Sequence, residues 1–230
     1  MSDSNKEKIV LKLSGSIFRP DSKHTSLQKY VNLLIELNNR VQLIVVSGGG
    51  KIARLYIELA RRLGADEATL DTLGIEVSRL NAQLLLTGLG KIGYPKIPRS
   101  LEAVAVAVES GKVVICGGLH PGQSTNATSA LISEKVRASK FINATDVEGI
   151  YDKDPNRNPR ARLFSKLSVT ECIKLLSKEN TQAGTYELMD IVALKVIERS
   201  KIPTVVTKAD VDYLRDIIFN RSAIGTKITI

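Results

Sequence analysis

Tryptophan is absent from this chain of 230 residues, and all aromatic residues together make up 4% of it. A protein that stacks successive nucleic-acid bases needs several such rings along a basic groove. The formal net charge is +9, but its lysines and arginines are scattered and have no aromatic platform among them. No nucleic-acid partner is expected; the positive charge suits small anions such as nucleotides. Cysteine is scarce too. Cys116 and Cys172 form no metal-ligand or redox motif, and Cys116 lies in an apolar run, where a small buried residue belongs. Two histidines, His24 and His120, are too few for a His-based structural zinc site. Long apolar runs are also missing. None approaches the roughly 20 residues that span a bilayer, and the first eight residues are polar and charged, without the apolar centre of a signal peptide. These absences lead us to expect a cytoplasmic protein with no membrane partner.

What is present is an ordinary globular balance, 43% hydrophobic and 25% charged, in a chain long enough to bury a sizeable core. Short apolar runs at residues 9–13, 41–46, 113–116, 141–144 and 204–207 read as buried parallel strands. Helix-like stretches separate them, near residues 26–39, 51–63, 101–109, 126–138 and 190–199. A further helix near residues 73–86 carries Leu73, Val77, Leu80 and Leu84 at helical spacing. This order predicts an α/β fold, a mostly parallel central sheet covered by helices on both faces. Residues 152–162 break the pattern with Asp154-Pro155, Asn158-Pro159 and many charges. They read as an exposed loop at the boundary between an N-terminal lobe, about residues 1–140, and a C-terminal lobe, about 141–230, of one domain.

Glycine-rich turns follow three of the strand-like runs: Ser14-Gly15-Ser16, Ser47-Gly48-Gly49-Gly50 and Gly117-Gly118. Glycines at strand ends let the backbone approach a ligand and turn its N–H groups toward it, and several such turns at one sheet edge suit a phosphate-rich ligand. The triplet at 48–50 fits neither the Walker frame nor the dinucleotide-binding spacing. It is either a helix start that holds phosphate, with Arg54 one turn further on reaching the same anion, or a tight connection beside a solvated arginine. Lys12 stands in an otherwise apolar strand. It is either paired with an anion and able to neutralise a transferring phosphoryl group, or an edge lysine reaching solvent. Residues 117–125, GGLHPGQST, combine glycines, a proline turn and a Ser124-Thr125 cap before a helix; the backbone there is the better candidate than the His120 ring. Thr145 and Asp146 close a strand, where they can meet hydroxyls or a metal-bound phosphate, and Tyr151 can stack on a base; the alternative is a capped turn packed by Tyr151.

Taken together and in this order, the segments LKLSGS (11–16), SGGGKIARLYIELA (47–60), LDTLGIEVSRLNAQLL (70–85), GGLHPGQST (117–125), TDVEGIYDKDP (145–155) and QAGTYELMDIVALKVIERSKI (182–202) resemble the amino-acid kinase superfamily, and within it the archaeal type of UMP kinase, over essentially the whole chain. The resemblance implies a three-layer αβα sandwich, transfer of the ATP γ-phosphoryl group to UMP with Mg²⁺ in pyrimidine nucleotide biosynthesis, and a homohexamer built as a trimer of dimers. Carried over by position, it implies that Lys12, Gly15, Ser16, Gly50 and Arg54 serve ATP. Thr145, Asp146, Tyr151 and Asp154 match the adenine-nucleotide pocket. Gly49, Asp71, Leu119, His120, Pro121, Gly122, Gln123, Ser124 and Thr125 match the UMP side. Lys12 and Arg54 are the candidate catalytic cations, no general base is needed because the acceptor is already anionic, and no protein ligand to the metal is assigned. Some positions depart from the pattern: Asp146 where this branch often has Asn, Glu148 where Asp is usual, Asn126 where many members carry an aspartate, and Ile191 where proline usually follows the aspartate.

Two other readings compete. A sister kinase acting on isopentenyl phosphate would carry a histidine beside the glycine triplet, which here is followed by Lys51-Ile52-Ala53-Arg54, and kinases of carboxylates match the Asp71 segment and the 117–125 loop less well. A non-catalytic nucleotide-binding protein on the same fold would be favoured by loss of Lys12 or of the glycine loops, and both are present.

Overall fold

The computed structural model describes residues 6–19, 24–179, 188–221 and 224–230, with backbone alone at 24–26 and 177–179. Residues 182–187 of the last carrying segment therefore lie outside the described residues. The expected strands form as β1 (Glu7–Leu13), β2 (Val41–Ser47), β3 (Val114–Cys116), β4 (Lys140–Thr145) and β6 (Thr204–Lys208), joined by β5 (Lys166–Ser168) and β7 (Thr226–Thr229). They make one seven-stranded sheet in the order β3-β2-β1-β4-β6-β7-β5, parallel throughout except for the β6–β7 pair. β1 pairs with both β2 and β4, so the N-terminal and C-terminal halves share one sheet. The loop at 152–162 is largely exposed, as expected, and is closed by a bridge between Tyr151 and Leu163.

Alternation along each strand sends side chains to two cores. Val10, Ile44, Val46, Val114 and Phe141 face α4 (Leu101–Val108), α5 (Thr125–Lys135), α6 (Val169–Glu179) and α7 (Ile191–Ser200). Ile9, Leu11, Leu13, Leu43 and Ile142 face α1 (His24–Asn38), α3 (Glu67–Leu89) and α8 (Val211–Ile218). The molecule is thus a three-layer αβα sandwich, and α2 (Gly50–Arg62) packs on α3.

Most of the helices start on a polar side chain that accepts from their first free amides, as Ser100 does for α4 through Ala103 N at 3.1 Å. Asp66 caps α3 through Thr69 N at 2.9 Å, Ser124 caps α5 through Asn126 N and Ala127 N at 3.0 Å, Asp190 caps α7 and Asp210 caps α8. Helix α2 differs: its cap position is Gly49, with no side-chain hydrogen bond. The helix expected near 73–86 forms as part of the longer α3, but the predicted apolar stripe is not its core face. Leu70, Ile75, Ala82, Leu85, Leu86 and Leu89 are buried, whereas Leu80 and Leu84 are exposed.

Candidate active site

The parallel register sets Leu13 beside Ser47 on one flank and Ala144 on the other, so the first two glycine loops and the Thr145-Asp146 turn leave the sheet at one edge. Ser14 N donates to Ala144 O at 2.9 Å, and Gly48 N donates to Leu13 O at 2.9 Å. The loops touch backbone to backbone. A Cβ on Gly15 would run into the Gly50 main chain, and one on Gly48 would come within 2.8 Å of Gly15 N, which is why glycine stands at both. Gly50 has a φ of +66°, a turn that L side chains rarely make. With no side chain over its start, α2 keeps its first amides open toward this edge, a suitable seat for an anion. From α3, the buried Asn81 donates through Nδ2 to Gly48 O at 2.8 Å and to Gly49 O at 3.4 Å, fixing the loop from behind.

Lys12 lies beside Asn143 of β4 in register, with a small opening to solvent. Protein packs densely around its ammonium, and this burial lowers its pKa to about 8, against the pull of Asp146 in the other direction. Asp146 Oδ1 accepts from Ser14 Oγ at 2.7 Å and from Ser16 Oγ. Burial pushes its carboxyl up, but the hydroxyls of Ser16 and Ser14 together with Lys12 and Arg19 outweigh burial and hold it below the usual carboxylate range. A cleft of about 250 Å³ opens here, lined by Ser16, Arg19, Tyr30, Thr145, Asp146 and Lys208 among others. The Tyr30 hydroxyl donates to Ala209 O; burial, Asp210 and Asp146 push its pKa up to about 12, so it stays neutral. Thr145 Oγ1 bonds within its own turn, to Val147 O at 3.0 Å. A carboxylate and two hydroxyls are hard oxygen donors that fit Mg²⁺, but among the described residues no three acidic, His or Cys side chains gather to hold a metal. A cation here would need further ligands from a bound anion.

The third glycine turn forms the other side. Gly118 N donates to Ser78 Oγ at 2.8 Å. Arg79, paired with Glu76 at 2.6 Å, donates from Nε to Gly118 O at 3.1 Å and from Nη2 to Leu119 O at 3.2 Å. Asp71 Oδ2 accepts from Gly122 N at 2.6 Å, which ties α3 to the loop tip. Leu119 is buried, Gln123 and Thr125 are half-buried, and His120, Pro121, Gly122 and Ser124 are exposed. Ser124, besides capping α5, donates to Asp190 Oδ2 at 2.5 Å. Nearby, Asn126 and Asn143 both donate from Nδ2 to Leu188 O, at 3.2 and 2.8 Å, while their buried Oδ1 atoms have no partner among the described residues.

The structure therefore brings Lys12, Ser14, Gly15, Ser16, Gly48, Gly49, Gly50, Thr145 and Asp146 to one edge, and Asp71 to the 119–125 loop. Arg54 is exposed, one turn into α2, and forms no ion pair among the described residues. Tyr151 and Asp154 spend their hydrogen bonds on their own surroundings. Tyr151 donates to Glu148 at 3.2 Å, and Asp154 accepts from Asn156 N at 2.9 Å and pairs with Arg157 at 3.5 Å. Ser78, Arg79 and Asn81 were not expected. Ser78 and Asn81 are polar residues three apart on the apolar face of α3, a spacing that marks a helix holding something other than core.

Similarity to known proteins decides the family. The model of the amino acid kinase family matches residues 7–208. The chain belongs to the amino acid kinase family. Uridylate kinase of Methanobrevibacter smithii is 41% identical over 222 residues, covering 96% of this chain and 98% of its own. Uridylate kinase of Sulfurisphaera tokodaii is 47% identical over 204 residues, covering 86% and 88%. Among solved structures, uridylate kinase from Archaeoglobus fulgidus superposes with a TM-score of 0.87 at 35% identity, over 96% of this chain and 100% of its own. UMP kinase from Ureaplasma parvum matches with a TM-score of 0.81 at 19% identity, a likeness of fold. As a family member the chain is a phosphotransferase, and its fold is the expected sandwich.

Proposed function

We propose that this protein is a UMP kinase, which transfers the γ-phosphoryl group of ATP to UMP and yields UDP and ADP in pyrimidine nucleotide biosynthesis. The observation that carries the reading is the meeting of Lys12, two glycine loops and the uncapped start of α2 at one sheet edge, in a chain that matches proteins named uridylate kinase almost end to end. A phosphate oxygen of UMP attacks the γ-phosphorus; the new P–O bond forms as the bond to the β–γ bridging oxygen breaks, and ADP leaves with that electron pair. Such a transfer needs in-line positioning and positive charge more than covalent help. Lys12 and Arg54 supply charge, and the amides of Gly15 and Gly50 orient the phosphates with Ser16. If Mg²⁺ binds, Asp146 with the hydroxyls of Ser14 and Ser16 would hold it, and it would supply further positive charge against the phosphates of ATP.

In this reading the C-terminal lobe, about 141–230, holds ATP through Thr145, Asp146, Tyr151 and Asp154 together with the β1 and α2 loops. The N-terminal lobe, about 1–140, holds UMP through Gly49, Asp71 and residues 119–125. No helix among the described residues is long and apolar enough to cross a membrane; a cytoplasmic location is part of this reading. A homohexamer, a trimer of dimers, is part of the same reading. Helix α2 leaves Leu55, Tyr56 and Leu59 exposed, as is Leu63 just past its end, and the neighbouring α3 leaves Leu80 and Leu84. So much apolar surface on two adjacent helices suits burial against another copy.

The test is ADP release from Mg·ATP with UMP, CMP, dUMP, isopentenyl phosphate, glutamate and no acceptor in parallel. Strong preference for UMP is the expected result. Preference for another acceptor would make the chain a sister kinase, and ATP binding without turnover on any would make it a binding protein.

A further inference from the structure

The carboxylate of Asp146 sits among the groups that a nucleotide triphosphate would claim. Ser14 Oγ and Ser16 Oγ both donate to its Oδ1, and both serines flank Gly15 in the loop that touches the start of α2. Lys12 and Arg19 contribute positive field to the same carboxylate. The free protein thus carries its own anion in the phosphate loop, on the wall of the cleft that also holds Ser16, Thr145 and Lys208. Neighbouring acids are engaged elsewhere: Asp210 accepts the first amides of α8, and Glu148 accepts from Tyr151 and Tyr213. A phosphate arriving at Lys12 and the loop would meet Asp146 as a like charge. A divalent cation removes that conflict, because Mg²⁺ takes oxygen ligands and is commonly held by one or two carboxylates plus substrate phosphates.

We propose that Asp146 makes nucleotide binding conditional on a divalent cation. In the free protein it is the counter-ion of Lys12 and the clamp on Ser14 and Ser16; when the triphosphate takes over those groups, Asp146 becomes a protein ligand of the cation that enters with it. This rests on the reading of the cleft as the ATP site. Its consequence is directional. Metal-free ATP must displace Asp146 against its charge, whereas Mg·ATP recruits it. Replacing the carboxylate by a neutral group should then strengthen metal-free binding and weaken the hold on the metal.

The experiment is calorimetric titration of ATP into the full-length protein, once with excess EDTA and once with Mg²⁺, for the wild type, Asp146→Asn and Asp146→Ala. Mn²⁺ binding to the ADP complex of each is followed by electron paramagnetic resonance. The wild type should bind ATP roughly tenfold more tightly or better with Mg²⁺, and Asp146→Asn should bind metal-free ATP roughly tenfold more tightly than the wild type, so that the Mg²⁺ advantage nearly disappears. Its ADP complex should hold Mn²⁺ more weakly. Asp146→Ala carries the same expectation without placing an amide among the hydroxyls, so it decides the question if the Asn variant fails to fold. An equal Mg²⁺ advantage in wild type and variants, with UMP still phosphorylated by the wild type, would overturn the coupling and leave the kinase reading intact. A wild type that binds ATP in neither condition would overturn both.

Discussion

At Lys12 the demands of stability and of the proposed catalysis pull apart. Its pKa falls from 10.5 in a free lysine to about 8 because burial disfavours the ammonium. Between those values the unfolded chain holds more protons than the folded one, so this residue makes stability rise with pH from about 8 to 10.5, while below about 8 the folded state carries the full burden of a buried charge. Phosphoryl transfer has the opposite requirement, since only the ammonium can offset phosphate charge. We expect kcat/KM for ATP to fall as pH climbs through about 8, measured by initial rates at subsaturating ATP. Lys12→Met should lower turnover by about 100-fold or more, be no less stable than the wild type at pH 7 in urea denaturation, and lose the alkaline rise in stability. A folded Lys12→Met protein with near-normal turnover would remove Lys12 from the site. The charge of Lys12 was visible in the sequence as a lysine among apolar β-formers. Its partner Asp146, 134 positions on by numbering, was assigned by resemblance to a nucleotide pocket, and its bonds to Ser14 and Ser16 became apparent only when β1 and β4 lay side by side.

At the scale of elements, helix starts separate support from function. Ser124 caps α5 through two amides and also reaches Asp190, so Ser124→Ala should cost about 1 kcal/mol or somewhat more, read as a shift of the urea midpoint. Asn81 on α3 is the buried donor to the Gly48 carbonyl. Removing it as Asn81→Ala leaves that acceptor short of its partner, at a cost of about 1–3 kcal/mol. Because the loop it holds is the proposed phosphate seat, kcat/KM should drop more than a loss of stability alone explains, provided rates are compared at a temperature where both proteins are fully folded. By contrast, a polar replacement of Val45, which is fully buried in β2, should unfold the protein at lower urea while leaving the turnover of the folded fraction near normal. The central strands were legible because parallel strands buried on both faces read as unbroken apolar runs. β5, β7, α6 and α8 were not, since β5 spans three residues and β7 buries only alternate positions, Thr226 and Ile228.

For the whole molecule, the exposed apolar outer faces of α2 and α3 fit a contact with further copies of the chain. Light scattering coupled to size exclusion should show an oligomer for the wild type, and the pair Leu80→Glu and Leu84→Glu should shift it to smaller species without loss of helical signal, because neither side chain contributes to the buried core. A monomeric wild type would refute the hexamer. The stripe at Leu73, Val77, Leu80 and Leu84 shows the limit of periodicity as a guide: spacing identifies a helix and its apolar faces, but cannot say whether a face meets the chain's own core or another surface.

By itself the sequence determined the secondary framework and its class, because apolar run length and glycine placement are local properties that the backbone obeys wherever it lies. It also determined that glycine-rich loops follow the strands. Only the tertiary structure decided which loops meet, which face of α3 is core, and that Asp146 answers Lys12. These depend on strand order and register, and contacts between residues more than a hundred positions apart leave no local pattern in the chain to read.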